Sequence, residues 1–479
     1  MALPVVLTVA LVTAACSSAS TATSAAGSAP ASTAPATGAT GASAGSTSPA
    51  SGTASGTGAN WTEYGGNAEH TGVATGVPAP SALSTAWTAQ LDGAVYGQPL
   101  VVGDEVIAAT ENDSLYALNR ATGKTIWRTN VGTPVPQSAL NGCGDIAPLG
   151  ITGTPVYDAG NGLVYAVAEV TGYHHDLVAV DAKTGAVKLQ RDLDDPTTAN
   201  QPAYNQQRPG LVIDDGRVYA AFGGLFGDCG AYQGSVVSAP LTGDGPLTRW
   251  LTPTTREGAV WEPSGPVVGP NGDLWISIGN GAAESGAYDG SDSVTELSPA
   301  LQRVAFFAPS TWAPDNASDL DLGSTQPVLA AGGAVFIVGK RGVGYLLDAG
   351  HPGGIGGQLT QQNICPAFGG AAVSGSTVYE PCRGGALAAV QVNAAAKTIK
   401  VLWQGPSVSD GSPVIGGGAV WVTSYSDSGG TLYALNQATG QVEQQIPITQ
   451  GLPHFSPLAL SGGSAYVATL TGVTAISGA

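Results

Sequence analysis

The chain has 479 residues, of which 70 are glycine and only 10% are charged, and it carries a formal net charge of −18. So few basic residues, scattered rather than clustered, exclude a nucleic-acid partner, because phosphate binding needs grouped Lys and Arg. High glycine with low charge suits many short buried strands joined by tight turns, and argues against a helical or coiled-coil protein.

In chain order, the first feature is the apolar run LPVVLTVALVTAAC, too short to span a membrane as a helix. It resembles a bacterial lipoprotein signal, with Thr13-Ala14-Ala15-Cys16 in the position of the cleavage and lipidation box. The resemblance implies a signal peptide at 1–15, a lipidated Cys16 and anchoring to the outer face of the cell membrane; the alternative is a cleaved secretory signal and a secreted protein. Residues 16–59 are almost wholly Ser, Ala, Thr, Gly and Pro. Such a segment has too little apolar surface to offset the entropy of ordering, which predicts a disordered tether. The GxSxG match within it, at 41–45, has no strand before it or helix after it and carries no nucleophile.

From 60 to 479 the chain repeats. A phrase of alternating apolar residues recurs eight times, as EVIAAT, GLVYAVA, GRVYAAF, GDLWISI, GAVFIV, STVYE, GAVWVTS and GSAYVAT, with Ile107, Tyr165, Tyr219, Trp275, Phe336, Tyr379, Trp421 and Tyr466 in register. Each phrase follows a shorter apolar run (QPLVV, TPVYD, RPGLV, GPVVG, QPVLA, GGAAV, SPVIG, SPLAL) that reads as an inner strand. A third and a fourth strand follow, clearest in LYALNRATGKTIW, LVAVDAKTGAVKL and LYALNQATGQVEQ, where Thr-Gly makes the turn. Four short strands at a fixed period predict an all-β fold, an eight-bladed β-propeller of four-stranded antiparallel blades. The last unit stops at VTAIS without an outer strand, so Leu83 to Leu91 is predicted to complete it and close the ring.

Four cysteines remain besides Cys16. In a propeller the loops entering inner strands share a face with the loops joining second to third strands. Cys143 can therefore meet Cys229, and Cys365 can meet Cys382, giving two disulfides, with free buried thiols as the alternative. No CxxC is present, and no metal site is predicted. His174 and His175 are adjacent and point apart if extended, and are read as solvated loop residues. Asp192, Asp194 and Asp195 are read as decorating a turn. Asp289 and Asp292 lack the spacing of a calcium loop.

The same geometry places a candidate site. Residues just before the inner strands converge on one mouth of the channel: Tyr96 and Gln98, Thr152 and Thr154, Arg208, Trp261 and Glu262, Ser324 and Gln326, Asp410 and Ser412, and His454. Second-to-third loops add Asn112, His174, His175, Asp228, Asp289, Asp292 and Lys340 to the same face. From these, Gln98, Thr154, Arg208, Trp261, Glu262, Gln326, Lys340, Asp410 and His454 are taken as the ligand-binding set, with no catalytic residue assigned.

The LYALNRATGKTIW type of repeat, with CGDIAPLGITGTPVYD, RPGLVIDDGRVYAAFG, VGKRGVGYLLD and the lead-in Tyr64-Gly65-Gly66-Asn67 and His70, resembles the bacterial pyrroloquinoline-quinone (PQQ) repeat propellers. The resemblance implies one of two functions. Quinoprotein dehydrogenases of the family hold PQQ and Ca²⁺ over the channel, using a vicinal disulfide, a carboxylate base and a basic residue. Lys340 matches the place of that basic residue and Glu262 would be an ion ligand, but the chain has neither adjacent cysteines nor the CxxCH of an attached haem. The second class is non-catalytic, represented by the lipoprotein of the outer-membrane protein assembly machinery. The reading is a binding or assembly scaffold whose partner is a cell-envelope protein or a small ligand; the alternative is a PQQ- and Ca-dependent dehydrogenase of an alcohol or sugar.

Overall fold

The computed structural model describes residues 59–479 apart from 141, 196–200, 409–410 and 456. The signal segment, Cys16, all of the tether but Ala59, and Asp410 therefore lie outside the described residues. Eight antiparallel sheets are formed in sequence order, each an antiparallel run of four strands with small additions in two of them. In the first blade the inner, second, third and outer strands are Leu100–Val102, Glu105–Thr110, Ser114–Asn119 and Thr125–Asn130. The eighth is built from Leu458–Ser461, Ser464–Thr469 and Gly472–Ser477, and its outer strand is Ser84–Gln90 from the N-terminal side, paired from Ser84↔Ser477 to Gln90↔Gly472. The predicted closure is thus present, and Gly472–Ser477 has no open edge.

The recurrent phrase follows from period-two packing. Alternate residues of each second strand face opposite neighbours. Val164 packs with the first blade, whereas Tyr165, one residue on, packs with the third. The aromatic position points to the following blade in every case, as with Tyr219, Trp275, Phe336, Tyr379 and Trp421. A buried phenol needs a partner, and the next blade supplies it. Tyr165 Oη donates to Leu241 O at 2.8 Å and Tyr219 Oη to Pro299 O at 3.1 Å. Tyr466, in the last blade, accepts from Arg120 Nε of the first at 3.0 Å. The apolar core is therefore a ring of interfaces between blades.

The Thr-Gly turns dock blades from outside. In each, the Asn or Asp three residues earlier accepts from the threonine amide, and Asn119 and Asp181 also accept from the hydroxyls of Thr122 and Thr184. The glycine then meets a tryptophan of the preceding blade's outer strand. Trp127 Nε1 donates to Ala182 O at 2.8 Å, and a Cβ at Gly185, where φ is 71°, would lie 2.7 Å from the indole. Trp87 on Gly123 and Trp403 on Gly440 repeat the arrangement. Gly185→Ala is expected to cost about 2 kcal/mol, since it adds both backbone strain and overpacking. Urea unfolding measures it, with Gly103→Ala, in open space at a similar φ, as the strain-only comparison.

A second closure was not predicted. The segment 61–74 winds around the channel and hydrogen-bonds to successive inner strands. Trp61 exchanges both backbone bonds with Val101, Thr62 O accepts from Tyr157, Ala68 O from Val268, Thr71 O from Val373 and Gly72 O from Ile415. Gln98 clamps it: its Oε1 accepts from Trp61 Nε1 and Gly65 N, both at 2.9 Å, while its Nε2 donates to Leu458 O of the last blade at 2.6 Å. Trp61, Tyr64 and His70 are buried in this plug.

Both disulfides form, Cys143 with Cys229 and Cys365 with Cys382.

Candidate functional site

The inner strands begin at one end of the channel, and above them lies a cavity of about 270 Å³. Tyr96, Asp145, Thr154, Arg208, Asp427 and His454 line it, and Tyr64 of the N-terminal plug lies in the same wall. The cavity thus stands directly over the plugged channel.

Beside it is an aromatic group assembled from three blades. Trp261 has Phe368 and Phe455 at 6.3 Å each. Arg208 lies 5.9 Å from the Trp261 ring and 6.0 Å from Phe455, and Lys340 lies 5.6 Å from both Trp261 and Phe368. Arg383 covers Phe368 at 4.7 Å. Cations held near aromatic faces while partly shielded from water strengthen this group through the ring quadrupoles. Phe455 is held at φ 64°, a left-handed conformation unusual for a bulky residue, with its carbonyl accepting from Ser412 N at 2.9 Å. That conformation is part of what delivers the ring to the mouth.

Charge is unevenly compensated here. Arg208 reaches Asp145 only at 3.4 Å. Lys340, by contrast, is held by Asp319 and Asp321, each at 2.5 Å. Burial works against the ammonium, and the two carboxylates outweigh it, so Lys340 stays above its ordinary range. Glu111, whose Oε2 accepts from Gly150 N at 2.8 Å, is buried beneath this rim and its carboxyl is pushed up to about 8 by burial.

The nine sequence-selected residues divide. Thr154, Arg208 and His454 line the cavity, and Trp261 and Lys340 adjoin it. Gln98 and Gln326 instead hold the plug, Gln326 Nε2 donating to His70 O at 3.3 Å. Glu262 is wholly buried, outside the cavity wall, with no hydrogen-bond partner for either oxygen, and burial holds its carboxyl well above the usual range. Asp410 lies outside the described residues. Phe368, Phe455, Arg383 and Tyr64 were not selected, although both phenylalanines sit just before inner strands, the rule that found the others.

The histidine pair also differs from expectation. His174 and His175 start the third strand of blade two, His174–Asp181, and are not loop residues. His174 faces solvent, whereas His175 is 2% exposed, because the strand turns alternate side chains inward. His175 Nδ1 meets Asp194 at 2.9 Å and its Nε2 lies 3.7 Å from Glu169. Burial alone would depress this imidazole, but the hydrogen bond to Asp194 and the charge of the nearby Glu169 carboxylate push it up to about 10. Asp194 thus anchors the buried His175, through its backbone N–H and its ring Nδ1, rather than decorating a turn.

Residues 32–275, just over half of the chain, match the model of the PQQ-repeat family described as outer membrane protein assembly factor BamB. The chain belongs to this family. It is 31% identical over 156 residues to outer membrane protein assembly factor BamB of Yersinia pestis, covering 33% of each chain. It is also 24% identical over 238 residues to a polyvinylalcohol dehydrogenase of Pseudomonas sp, covering 45% of this chain and 34% of the relative. The matches thus span about a third of each relative's length. Among solved structures, a quinohemoprotein alcohol dehydrogenase of Pseudomonas putida HK5 superposes with a TM-score of 0.68 at 15% identity, over 87% of this chain and 80% of that one. BamB of Moraxella catarrhalis superposes at 0.51 with 14% identity, over 83% and 97%. At these identities the likeness shows the propeller fold.

The family raises the question of a PQQ and Ca²⁺ site. Trp261 offers a flat face with Arg208 beside it, while Lys340 is already held by Asp319 and Asp321. The calcium half does not fit: Ca²⁺ takes six to eight oxygen ligands rich in carboxylate. Asp321, the carboxylate at Lys340, has one oxygen on Lys340 and the other on Asn280 N, and Glu262 is buried off the cavity.

Proposed function

We propose that this protein is an extracytoplasmic binding or assembly propeller, without catalytic chemistry of its own, that receives an anionic group of a cell-envelope partner or a small ligand at the channel mouth. The observation that carries the reading is the mouth itself: Arg208, reaching Asp145 at 3.4 Å and Gln206 at 3.5 Å, set over Trp261 and Phe455 beside an open cavity. The plug below supports it, since a channel filled by the protein's own segment leaves the rim for recognition. Family membership supports an assembly role, because one relative is named as an assembly factor. Two disulfides support an oxidising compartment. Lipidation at Cys16 would hold the propeller to the outer face of the membrane through the 16–59 tether.

The second reading, a PQQ-dependent dehydrogenase, is favoured by Trp261, Lys340 and Asp321 standing together. Incubating the purified chain with PQQ and Ca²⁺, then measuring dye-linked alcohol and sugar oxidation, separates the two. No turnover is expected, and turnover above a no-protein control would overturn the non-catalytic reading.

A further inference from the structure

The mouth carries charge of both signs, brought from blades on opposite sides of the ring. Arg208 comes from blade three, just ahead of its inner strand Val212–Asp214. Asp427 stands in the loop between Ala419–Ser424 and Gly430–Asn436, the second and third strands of blade seven. Four places separate these blades in a ring of eight, yet both residues line the one cavity. They are not paired with each other. The carboxylate on Arg208 is Asp145, and among the described residues no hydrogen bond or ion pair reaches the carboxylate of Asp427.

The guanidinium has donors to spare. Its contacts to Asp145 at 3.4 Å and Gln206 at 3.5 Å both run through Nη2, which leaves the Nε and Nη1 hydrogens for a ligand. Two hydroxyls on the same wall point the same way: Tyr64 Oη and Thr152 Oγ1 are buried, line the cavity and make no hydrogen bond. Ser412 stands near the phenol and Glu111 near the threonine, without closing a bond to either. A buried hydroxyl without a partner is costly, and a ligand oxygen settled against it removes that cost. The phenol of Tyr96, also in the wall, registers charge of both signs. Burial and the Glu111, Asp145 and Asp427 carboxylates hold it above its ordinary range, against the pull of Arg208.

Because Asp145 already balances Arg208, a simple anion entering the mouth meets the uncompensated carboxylate of Asp427, and a simple cation meets the guanidinium. A ligand carrying both charges meets neither conflict. The rest of the wall is apolar, from Ile146, Phe455, Pro457 and Leu470, and the cavity of about 270 Å³ lies at the small end of ligand sites. We infer that the mouth binds a small zwitterion of the amino-acid class with an apolar body, its carboxylate on Arg208 and the two free hydroxyls and its ammonium on Asp427. The inference rests on the reading of the mouth as a binding site and names what that site takes.

The test is calorimetric titration of the full chain at neutral pH and low salt. The zwitterions are L-leucine and 6-aminohexanoate, which hold their two charges near together and far apart. Their single-charge counterparts are 4-methylpentanoate and 3-methylbutylamine for the first, and hexanoate and pentylamine for the second. At least one zwitterion is expected to bind roughly tenfold or more tighter than both of its counterparts. Asp427→Asn, at an exposed side chain, should leave the melting midpoint unchanged and erase the preference over the carboxylate alone, while Arg208→Ala should weaken zwitterion and carboxylate together. A carboxylate that binds as tightly as its zwitterion, or a preference that survives Asp427→Asn, would overturn the inference and still leave the mouth an anion site. Binding by none of the six probes would overturn it as well, and occupancy of the mouth in cells is then read separately by crosslinking at His454.

Discussion

A chain that begins at Leu91 will not yield a monomeric propeller, whereas one that begins at Ala59 will melt as the full chain does. The longer truncation removes the outer strand Ser84–Gln90 and uncovers the edge of Gly472–Ser477. It also removes Trp61, Tyr64 and Trp87, all buried, together with the backbone bonds that join Trp61, Thr62, Ala68, Thr71 and Gly72 to five inner strands. Loss of a single buried tryptophan costs about 3–5 kcal/mol, and a domain's whole stability is only about 5–15 kcal/mol. An uncovered edge strand also invites pairing with other copies. Light scattering after size exclusion, with thermal melting, tests this; a monomeric, cooperatively melting chain lacking residues 1–90 would contradict it. Trp61→Ala is the milder probe and should lower stability by about 3 kcal/mol with the ring still closed.

Removing the Cys143–Cys229 bridge is expected to destabilise more than removing Cys365–Cys382. The two close loops with sequence separations of 86 and 17 residues. Chain entropy in the unfolded state then gives about 4.6 kcal/mol for the first and about 3 kcal/mol for the second. Packing acts in the same direction, because Cys143 sits in a small apolar cluster with Val135, Leu140, Ile146, Leu149 and Leu225 that joins the loops of blades two and three. Urea unfolding of the paired Cys→Ser variants measures both effects. A larger loss from the shorter loop would contradict the ordering.

The features legible in the sequence were those set by period. The in-register aromatics marked the strands because each must fill the gap to the next blade. The missing outer strand after VTAIS required a donor, and Leu83 to Leu91 had the right alternation. The cysteine pairs followed from which loops share a face. The plug was not legible, because Trp61 to Gly72 is held through backbone groups and through Gln98, which no periodicity encodes. Phe368 and Phe455 were within reach of the rule, since both precede inner strands, and escaped because only polar residues and Trp261 were taken from those positions. The environment of His175 depended on strand register: Glu169 lies directly opposite it across the hairpin, a pairing that follows once Thr171 to Tyr173 is recognised as the turn.

Arg208 and Phe455 make the central claim accessible to one measurement. A photo-crosslinking amino acid in place of His454, which is exposed at the cavity wall, reports what occupies the mouth in living cells of the source organism. The account predicts a discrete crosslinked product that is lost when Arg208→Ala is combined with the probe, while the protein's abundance and melting midpoint are unchanged. No crosslinked product, or one that persists unaltered without the Arg208 guanidinium, would contradict a binding role for the mouth.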